Sequence, residues 1–102
     1  MNFGRVVGTI VSTSKDPNLE GLKLLVVQHV NMDMKDTNTF TVAADGVGAG
    51  IGEYVLVVTG SSARLGTNLK NRPIDAGVLA IVDAVEVEGD IIYRKEEEAA
   101  AR

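Results

Sequence analysis

Short apolar runs, separated by turn residues, make up most of the chain. The runs are rich in Val and Ile and bounded by Gly, Pro, Asn, Asp and Ser, a pattern typical of β-strands. We expect strands over Val6–Ser12, Leu22–Val30, Phe40–Ala44, Glu53–Thr59, Val78–Val87 and Ile91–Arg94. One short helical turn is expected within Ser61–Lys70, where Ser61 or Ser62 could cap it. Five or six short strands without a long helix predict an all-β domain, a small barrel or a sandwich.

The apolar pattern stops at Arg94, and the residues that follow are charged or alanine. We therefore expect one domain over 1–94 and a disordered C-terminal tail over 95–102. The N-terminal MNFGRVVGTI lacks the features of a signal peptide, and no apolar run approaches membrane-spanning length. These features favour a cytoplasmic location.

The apolar content is high for a chain of this size. Hydrophobic residues make up 45% of 102 residues, whereas a domain this small buries only roughly 60–70% of its unfolded surface. Runs such as Leu22–Val27 therefore carry more apolar surface than one small domain easily hides. We expect part of that surface to be covered by other subunits.

The charge of the chain argues against binding to nucleic acid. The net charge is −4 and the pI about 4.8, whereas phosphate-backbone binders depend on Lys and Arg. Small barrels often bind nucleic acid by stacking bases on exposed aromatic rings, so a small nucleic-acid-binding barrel is the alternative hypothesis. The chain has only Phe3, Phe40, Tyr54 and Tyr93 for this purpose, and some of these rings must belong to the core.

The segment DGVGAGIG, residues 45–52, has a glycine at every second position. Neither register fits the dinucleotide-binding fingerprint, and a strand follows, so no helix N-terminus is available to hold a phosphate. The simplest interpretation is a tight strand-to-strand connection whose glycines adopt positive φ. Four glycines exceed what a bare turn needs, which suggests that a neighbouring chain packs against this backbone.

Candidate catalytic and metal sites are weak. His29 is the only histidine and the chain has no cysteine, so a metal site lacks its usual ligands. Gly60–Arg64 lacks the final glycine of a nucleophile elbow. Asp33, Asp36 and Asn38 lack the spacing of a calcium loop and are interpreted as a solvated hairpin loop. We therefore expect no enzymatic activity, no cofactor and no metal.

Asp83 interrupts an apolar stretch. In a continuous strand it would share a face with Leu79, Ile81 and Val85. A carboxylate on an apolar face needs a partner, and Arg64 or backbone N–H groups could serve. We interpret Asp83 as structural, because the sequence offers no second acid or base beside it.

Three segments in fixed order carry a family resemblance. They are GRVVGTIVSTSKDPNLEGLKLLVVQ, VAADGVGAGIGEYVLVVTGSSAR and NRPIDAGVLAIVDAV. Together they resemble the EutN/CcmL family, the pentameric vertex proteins of bacterial microcompartment shells. The resemblance extends from Arg5 to about Tyr93, and its departures are the hairpin NMDMKDTNT, the segment LGTNLKN and the acidic tail.

The resemblance implies a barrel similar to an OB-fold, assembled as a homo-pentamer that closes the five-fold vertices of a shell built otherwise from hexameric tiles. It implies that shell or subunit contacts are made by Ser12, Thr13, Ser14, Lys15, Gly48, Ala49, Gly50, Gly52 and Glu53. Small residues allow close backbone approach there. Lys15 can offer its charge across the seam, and the alternative is a solvated turn lysine. Interface or fold support is expected from Gly60, Ser61, Ser62, Ala63, Arg64, Pro73, Asp75 and Asp83.

Overall fold

The computed structural model describes residues 1–13, 17, 21–60 and 74–97. These ranges contain seven strands: β1 (Asn2–Ile10), β2 (Leu24–Val30), β3 (Asp36–Asp45), β4 (Tyr54–Thr59), β5 (Ala76–Ile81), β6 (Ala84–Val87) and β7 (Asp90–Arg94). The first five form a closed barrel in the order β1-β2-β3-β5-β4, and β6 and β7 form a separate two-stranded sheet. The predicted all-β barrel is thus confirmed.

Alternation along the strands fills the barrel interior with small and β-branched side chains. Neighbouring strands are antiparallel except β3 and β5, which pair in parallel through Ala44 with Gly77 and Asp45 with Val78. The buried cluster consists of Val6, Leu25, Val27, Ala43, Ala49, Val55, Val57, Ala76 and Val78. Side chains of this size suit the narrow interior of a five-stranded barrel. Ala49 belongs to this core although it lies in the glycine-rich segment.

The strand predicted over Val78–Val87 is in fact two strands. β5 ends at Ile81 and β6 begins at Ala84, and between them Val82 donates its N–H to the carbonyl of Tyr54 at 2.8 Å. The turn from β6 to β7 has φ values of 52° at Glu88 and 85° at Gly89. Positive φ at both central residues is the geometry of a type I′ hairpin turn. The only polar residue at the break is Asp83, and one polar residue is compatible with a continuous strand, which is why the sequence pattern did not reveal the break.

An aromatic cluster joins the hairpin to the barrel. Tyr93 of β7 meets Tyr54 of β4 edge-on, with ring centroids 4.6 Å apart, and Tyr54 stacks on Phe3 of β1 at 5.6 Å. Tyr54 and Tyr93 are buried, and Val30 completes the cluster's buried part. The expectation that some aromatic rings belong to the core is confirmed. Such pairs add about 1 kcal/mol each beyond the area that they bury.

The β2–β3 turn is tighter than predicted. β3 begins at Asp36, and the turn is closed by the N–H of Asn31 donating to the carbonyl of Lys35 at 2.9 Å. Asp36 and Asn38 therefore lie in a strand, and the interpretation of both as solvated loop residues was wrong. Asp36 forms an ion pair with Arg5 of β1 at 2.9 Å. Only Asp33 of the three lies in the turn.

The described C-terminus continues past β7 as a helical turn over residues 95–97. Lys95 donates its N–H to the carbonyl of Asp83 at 2.9 Å, so this part of the predicted tail is attached to the hairpin. Residues 98–102 lie outside the described residues, and the division into a domain and a tail stays a prediction. Over the described parts of the chain, no helix is long and apolar enough to cross a membrane.

Candidate functional site

The glycine loop, residues 46–53 between β3 and β4, covers one end of the barrel. Three backbone hydrogen bonds attach it to neighbouring strands. Gly46 donates to the carbonyl of Val78 at 3.0 Å, and Gly52 donates to the carbonyl of Val6 at 2.7 Å. The N–H of Val6 donates in turn to the carbonyl of Glu53 at 2.9 Å. With Ala49 inserted in the core, the loop is part of the folded barrel and not a loose connection.

Asp45 organises the first half of the loop. Its Oδ1 accepts hydrogen bonds from the N–H groups of Val47, Gly48 and Ala49 at 3.0, 3.0 and 3.2 Å. The Asp45 residue is only 8% exposed. Lys23 Nζ lies 3.8 Å from Asp45 Oδ2 and donates to the carbonyl of Ala49 at 3.3 Å. The glycine-rich backbone therefore wraps around a carboxylate of its own chain.

Asp45 was not among the residues predicted from the sequence. The available signal was its position directly before the first glycine, because Asp side chains often accept hydrogen bonds from backbone N–H groups two or three residues ahead. A concave row of N–H groups that binds an anion is a known consequence of such turns. Here the anion is internal, which agrees with the rejection of a phosphate-binding loop.

The glycines of the loop differ in backbone geometry. Gly48 has φ of 77° and Gly52 of 92°, a region that residues with a Cβ adopt only under strain. The prediction of positive φ is confirmed at these two positions. Gly50 is not in this region. The backbone conformation at position 50 therefore does not require glycine. A Cβ placed there would lie 3.3 Å from Glu53 Oε1, which is a tight contact with a side chain that can shift.

Two apolar side chains project from the loop into solvent. Ile51 is 65% exposed and Val47 is 40% exposed on the single chain. They flank the buried Ala49, so the same short segment plugs the barrel on one side and presents apolar surface on the other. Exposed apolar groups on a backbone that is already fixed are favourable for binding a partner, because little order has to be gained on association.

Glu53 organises the second half of the loop. Its Oε1 accepts the N–H of Gly50 at 2.6 Å, and its Oε2 pairs with Lys95 Nζ at 2.5 Å. The hydrogen bond from Lys95 and then that from Gly50 lower the pKa of Glu53, while the Glu53 carboxylate raises the pKa of Lys95. Both carboxylate oxygens are thus engaged within the chain, and the pair is ionised at neutral pH.

The other predicted contact residues are only partly described. Ser12 and Thr13 are exposed just beyond β1, whereas Ser14 and Lys15 lie outside the described residues. Gly60, with φ of 71°, donates its N–H to the carbonyl of Asp75 at 2.7 Å and so ties the end of β4 to the start of β5. The remaining predicted positions fall outside the described residues: Ser61, Ser62, Ala63, Arg64 and Pro73. The helical turn expected within Ser61–Lys70 also lies outside them.

Asp83 is exposed, so its predicted placement on a buried apolar face was wrong for the single chain. The break between β5 and β6 resets the alternation of side chains, and the parity counted from Leu79 does not reach position 83. The backbone of Asp83 has a structural role, because its carbonyl accepts the hydrogen bond from Lys95 at 2.9 Å.

We therefore expect Asp83→Ala and Asp83→Leu to change the free energy of unfolding by less than about 0.5 kcal/mol, as is usual for exposed positions. Chemical denaturation at a fixed protein concentration measures this. A loss of several kcal/mol for either variant would show that Asp83 is buried in the assembled protein.

His29 has a partner within the barrel wall. Its Nε2 lies 2.6 Å from Thr41 Oγ1 on the neighbouring strand, β3. In the described residues, no three His, Asp or Glu side chains are grouped as metal ligands would be. The geometry gives His29 a structural hydrogen bond between β2 and β3.

An apolar stripe lies on the outside of the barrel across β1, β2 and β3. Phe40 is 54% exposed and Val42 is 50% exposed. Val42 pairs with Val26 of β2, and Ile10 of β1 pairs with Leu24, so these side chains share one face. We call Ile10, Val26, Phe40 and Val42 the outer stripe. A set of exposed apolar side chains on adjacent strands is typical of a surface that another chain covers.

Comparison with known proteins gives one consistent result. The family model described as ethanolamine utilisation protein EutN/carboxysome matches residues 1–83. The chain is 46% identical over 97 residues to the carboxysome shell vertex protein CcmL of Synechococcus elongatus, covering 95% of this chain and 98% of that protein.

Two solved structures extend the comparison to the fold. Gloeobacter violaceus CcmL superposes with a TM-score of 0.89 at 43% identity, covering 94% of this chain and 99% of the other. The pentameric microcompartment shell protein GrpN of Rhodospirillum rubrum superposes with a TM-score of 0.77 at 47% identity, covering 85% and 99%.

Proposed function

The chain belongs to the EutN/CcmL family of microcompartment shell vertex proteins, and we propose that five copies form the ring that caps each vertex of such a shell. Vertex proteins of this family are structural components of shells in the bacterial cytoplasm. The observation that carries the proposal is the match of 85% of this chain to a pentameric shell protein. The role is geometric: five-fold rings close a surface that six-fold tiles alone would leave flat or tubular.

The proposed role is structural and not enzymatic. The polar groups at the glycine loop are directed at each other: Asp45 holds three backbone N–H groups, and Glu53 holds Gly50 and Lys95. The alternative, a nucleic-acid-binding barrel, receives little support from the rings. Tyr54 packs against both Phe3 and Tyr93 within the chain, which leaves Phe40 as the one largely exposed ring and not the row of exposed rings that base stacking needs.

We propose that the outer stripe contributes to the contact between subunits of the ring. Its exposed Phe40 and Val42 lie on the strands of the barrel wall, where a neighbouring barrel can pack against them. Burying the exposed half of Phe40 contributes about 1 kcal/mol to each contact. A ring repeats this contribution at each of its contacts.

Phe40→Ser is accordingly expected to make the ring dissociate at protein concentrations roughly five times higher than the unmodified chain requires. Analytical ultracentrifugation over a dilution series measures the shift. Ile91→Ser is the matched control, because Ile91 is similarly exposed but lies on the β6–β7 hairpin. If the control weakens the ring and Phe40→Ser does not, the subunit contact lies at the hairpin and not at the outer stripe.

The glycine loop is proposed to meet the adjoining hexameric tile. Its backbone is held at Asp45 and Glu53, and its apolar side chains Val47 and Ile51 point outward. A fixed, mostly uncharged surface of this kind fits a complementary apolar surface on a neighbouring shell protein. Ser12 and Thr13, also exposed, remain proposed members of the same contact, together with Ser14 and Lys15.

Co-production with hexameric shell tiles tests the proposed function. Closed polyhedral shells are expected in electron micrographs when this chain is present, and open sheets or tubes when it is left out. Shells of equal closure with and without the chain would contradict the vertex role. The same particles, averaged with icosahedral symmetry, should carry density for five copies at each vertex.

A further inference from the structure

A chain of polar contacts connects the glycine loop to the C-terminal part of the chain. Gly50 donates its N–H to Glu53 Oε1 at 2.6 Å, and Glu53 Oε2 pairs with Lys95 Nζ at 2.5 Å. Lys95 is the first residue after β7 and lies far from Glu53 in sequence. One ion pair therefore joins two segments that the barrel ladder itself does not connect.

The position of Lys95 is set by the hairpin. Its N–H donates to the carbonyl of Asp83 at 2.9 Å, and Arg94 just before it pairs with Ala84 of β6. The hairpin is in turn attached to the barrel through the ring of Tyr93, which packs on Tyr54. The Lys95 side chain thus starts from a fixed backbone and reaches the loop from outside the barrel.

Glu53, at the end of the glycine loop, is the partner that Lys95 contacts. Its side chain is only 22% exposed and its two oxygens bind groups on opposite sides, the Gly50 N–H and the Lys95 ammonium. The ammonium favours the rotamer in which the carboxylate accepts the Gly50 N–H, because it binds the other carboxylate oxygen. If Lys95 is absent, the Glu53 side chain gains freedom and the hydrogen bond to Gly50 is made less often.

We propose that Lys95 is a positioning residue for the glycine loop, which acts through Glu53 to fix the backbone at Gly50. The proposal rests on the proposed function in one respect: a fixed loop matters because the loop meets a neighbouring shell protein. Pre-ordering of a contact loop lowers the entropic cost of docking. The hairpin thereby becomes part of the apparatus that presents Val47 and Ile51.

The ionisation of Glu53 gives the test its readout. Lys95 and the Gly50 N–H lower the pKa of Glu53, and the Asp83 carboxylate acts on the pair through its charge, which helps to raise the pKa of Lys95. Because the folded pKa lies below the ordinary Glu value, the contact is complete above that ordinary value. It is lost as the pH falls through the lowered folded pKa.

The experiment follows the backbone amide of Gly50 by NMR in the assembled protein as the pH is lowered. In the unmodified chain, the Gly50 resonance is expected to titrate with a midpoint below the ordinary Glu value of about 4.3. In Lys95→Met the midpoint should rise toward that value, and hydrogen exchange of the Gly50 amide should become roughly threefold faster, as expected for loss of an exposed ion pair. Lys95→Arg should restore most of the effect.

Lys35→Met is the matched control, since Lys35 is an exposed lysine in the β2–β3 turn. It should leave the Gly50 midpoint and exchange rate unchanged, and both variants should keep the native mass. A Gly50 amide that is unaltered in Lys95→Met overturns the proposal, whether or not the protein closes shells. Altered Gly50 behaviour in Lys95→Met alone supports it, even if the vertex role were to fail in the shell assay.

Discussion

Asp45→Ala is expected to lower the free energy of unfolding by about 3 kcal/mol. The variant removes the acceptor of three backbone hydrogen bonds at 3.0 to 3.2 Å. The N–H of the buried Ala49 is one of the three donors that lose this acceptor. Hydrogen bonds to charged groups contribute more than neutral ones, and a buried donor left unpaired adds its desolvation cost. Against a total of roughly 5–15 kcal/mol for a typical domain, this is a large fraction.

Urea denaturation at one fixed protein concentration measures the loss, because dissociation of a ring would otherwise shift the midpoint. Asp45→Asn is the informative companion, since its amide oxygen can still accept the three N–H groups. It should cost roughly 1 kcal/mol. Asp33→Ala, a carboxylate in the exposed β2–β3 turn, serves as the control and should cost less than about 0.5 kcal/mol. Equal losses for Asp45→Ala and Asp33→Ala would show that the carboxylate does not hold the loop.

Gly50→Gln is expected to leave a folded protein of unchanged native mass that fails to close shells. Gly50 does not have positive φ, so the substitution brings no left-handed strain. The new Cβ would lie 3.3 Å from Glu53 Oε1, the end of a flexible side chain that can shift by a few tenths of an ångström. The cost within the subunit is therefore small, about 1 kcal/mol. At the proposed seam, by contrast, a side chain several atoms long would separate the loop from the tile, and a pentameric ring would repeat this defect five times.

Electron microscopy of shells co-produced with hexameric tiles provides the measurement. Open or elongated assemblies are expected with Gly50→Gln, and closed polyhedra with the unmodified chain. Gly89→Gln is the matched control: it introduces real strain, at φ of 85°, in the β6–β7 turn and away from the glycine loop. It should lower stability by about 1 kcal/mol or more and still allow closure. If shells with Gly50→Gln at their vertices close normally, the glycines serve only the turn and do not contact a neighbouring shell protein.

Much of the fold follows from periodicity. Apolar alternation placed Val6, Leu25 and Val55 in strands whose inner faces fill the barrel, as the buried cluster confirms. Two features escaped this reasoning. Periodicity did not show the break at Val82 and Asp83, because apolar residues resume directly after the single carboxylate and the pattern is compatible with one strand. The start of β3 was missed because Asp36 and Asn38 are polar residues of low strand propensity, and the ion pair with Arg5 that supports Asp36 there forms only between strands.

The sequence pattern identified the glycine loop but not the side chains that fix its backbone. The glycine spacing marked the segment and predicted positive φ, which Gly48 and Gly52 have. The roles of Asp45 and of the Glu53–Lys95 pair depend on contacts that only the folded chain creates. Lys95 in particular belongs to a segment that was expected to be disordered, because charge patterning reveals no tertiary partner. The glycine spacing thus indicated where the backbone lies close to other groups. The three-dimensional contacts show that these groups include Asp45 and Glu53 of the same chain.

The mass of the purified protein under native conditions tests the central claim most directly. Native mass spectrometry should show a closed assembly of five chains, each of 10.8 kDa, at micromolar concentration. The proposed pentameric state rests on the similarity to a pentameric shell protein, and the apolar outer stripe that one barrel leaves exposed supports association of the subunits. A stable monomer at that concentration, or a ring with a number of subunits other than five, would contradict the account.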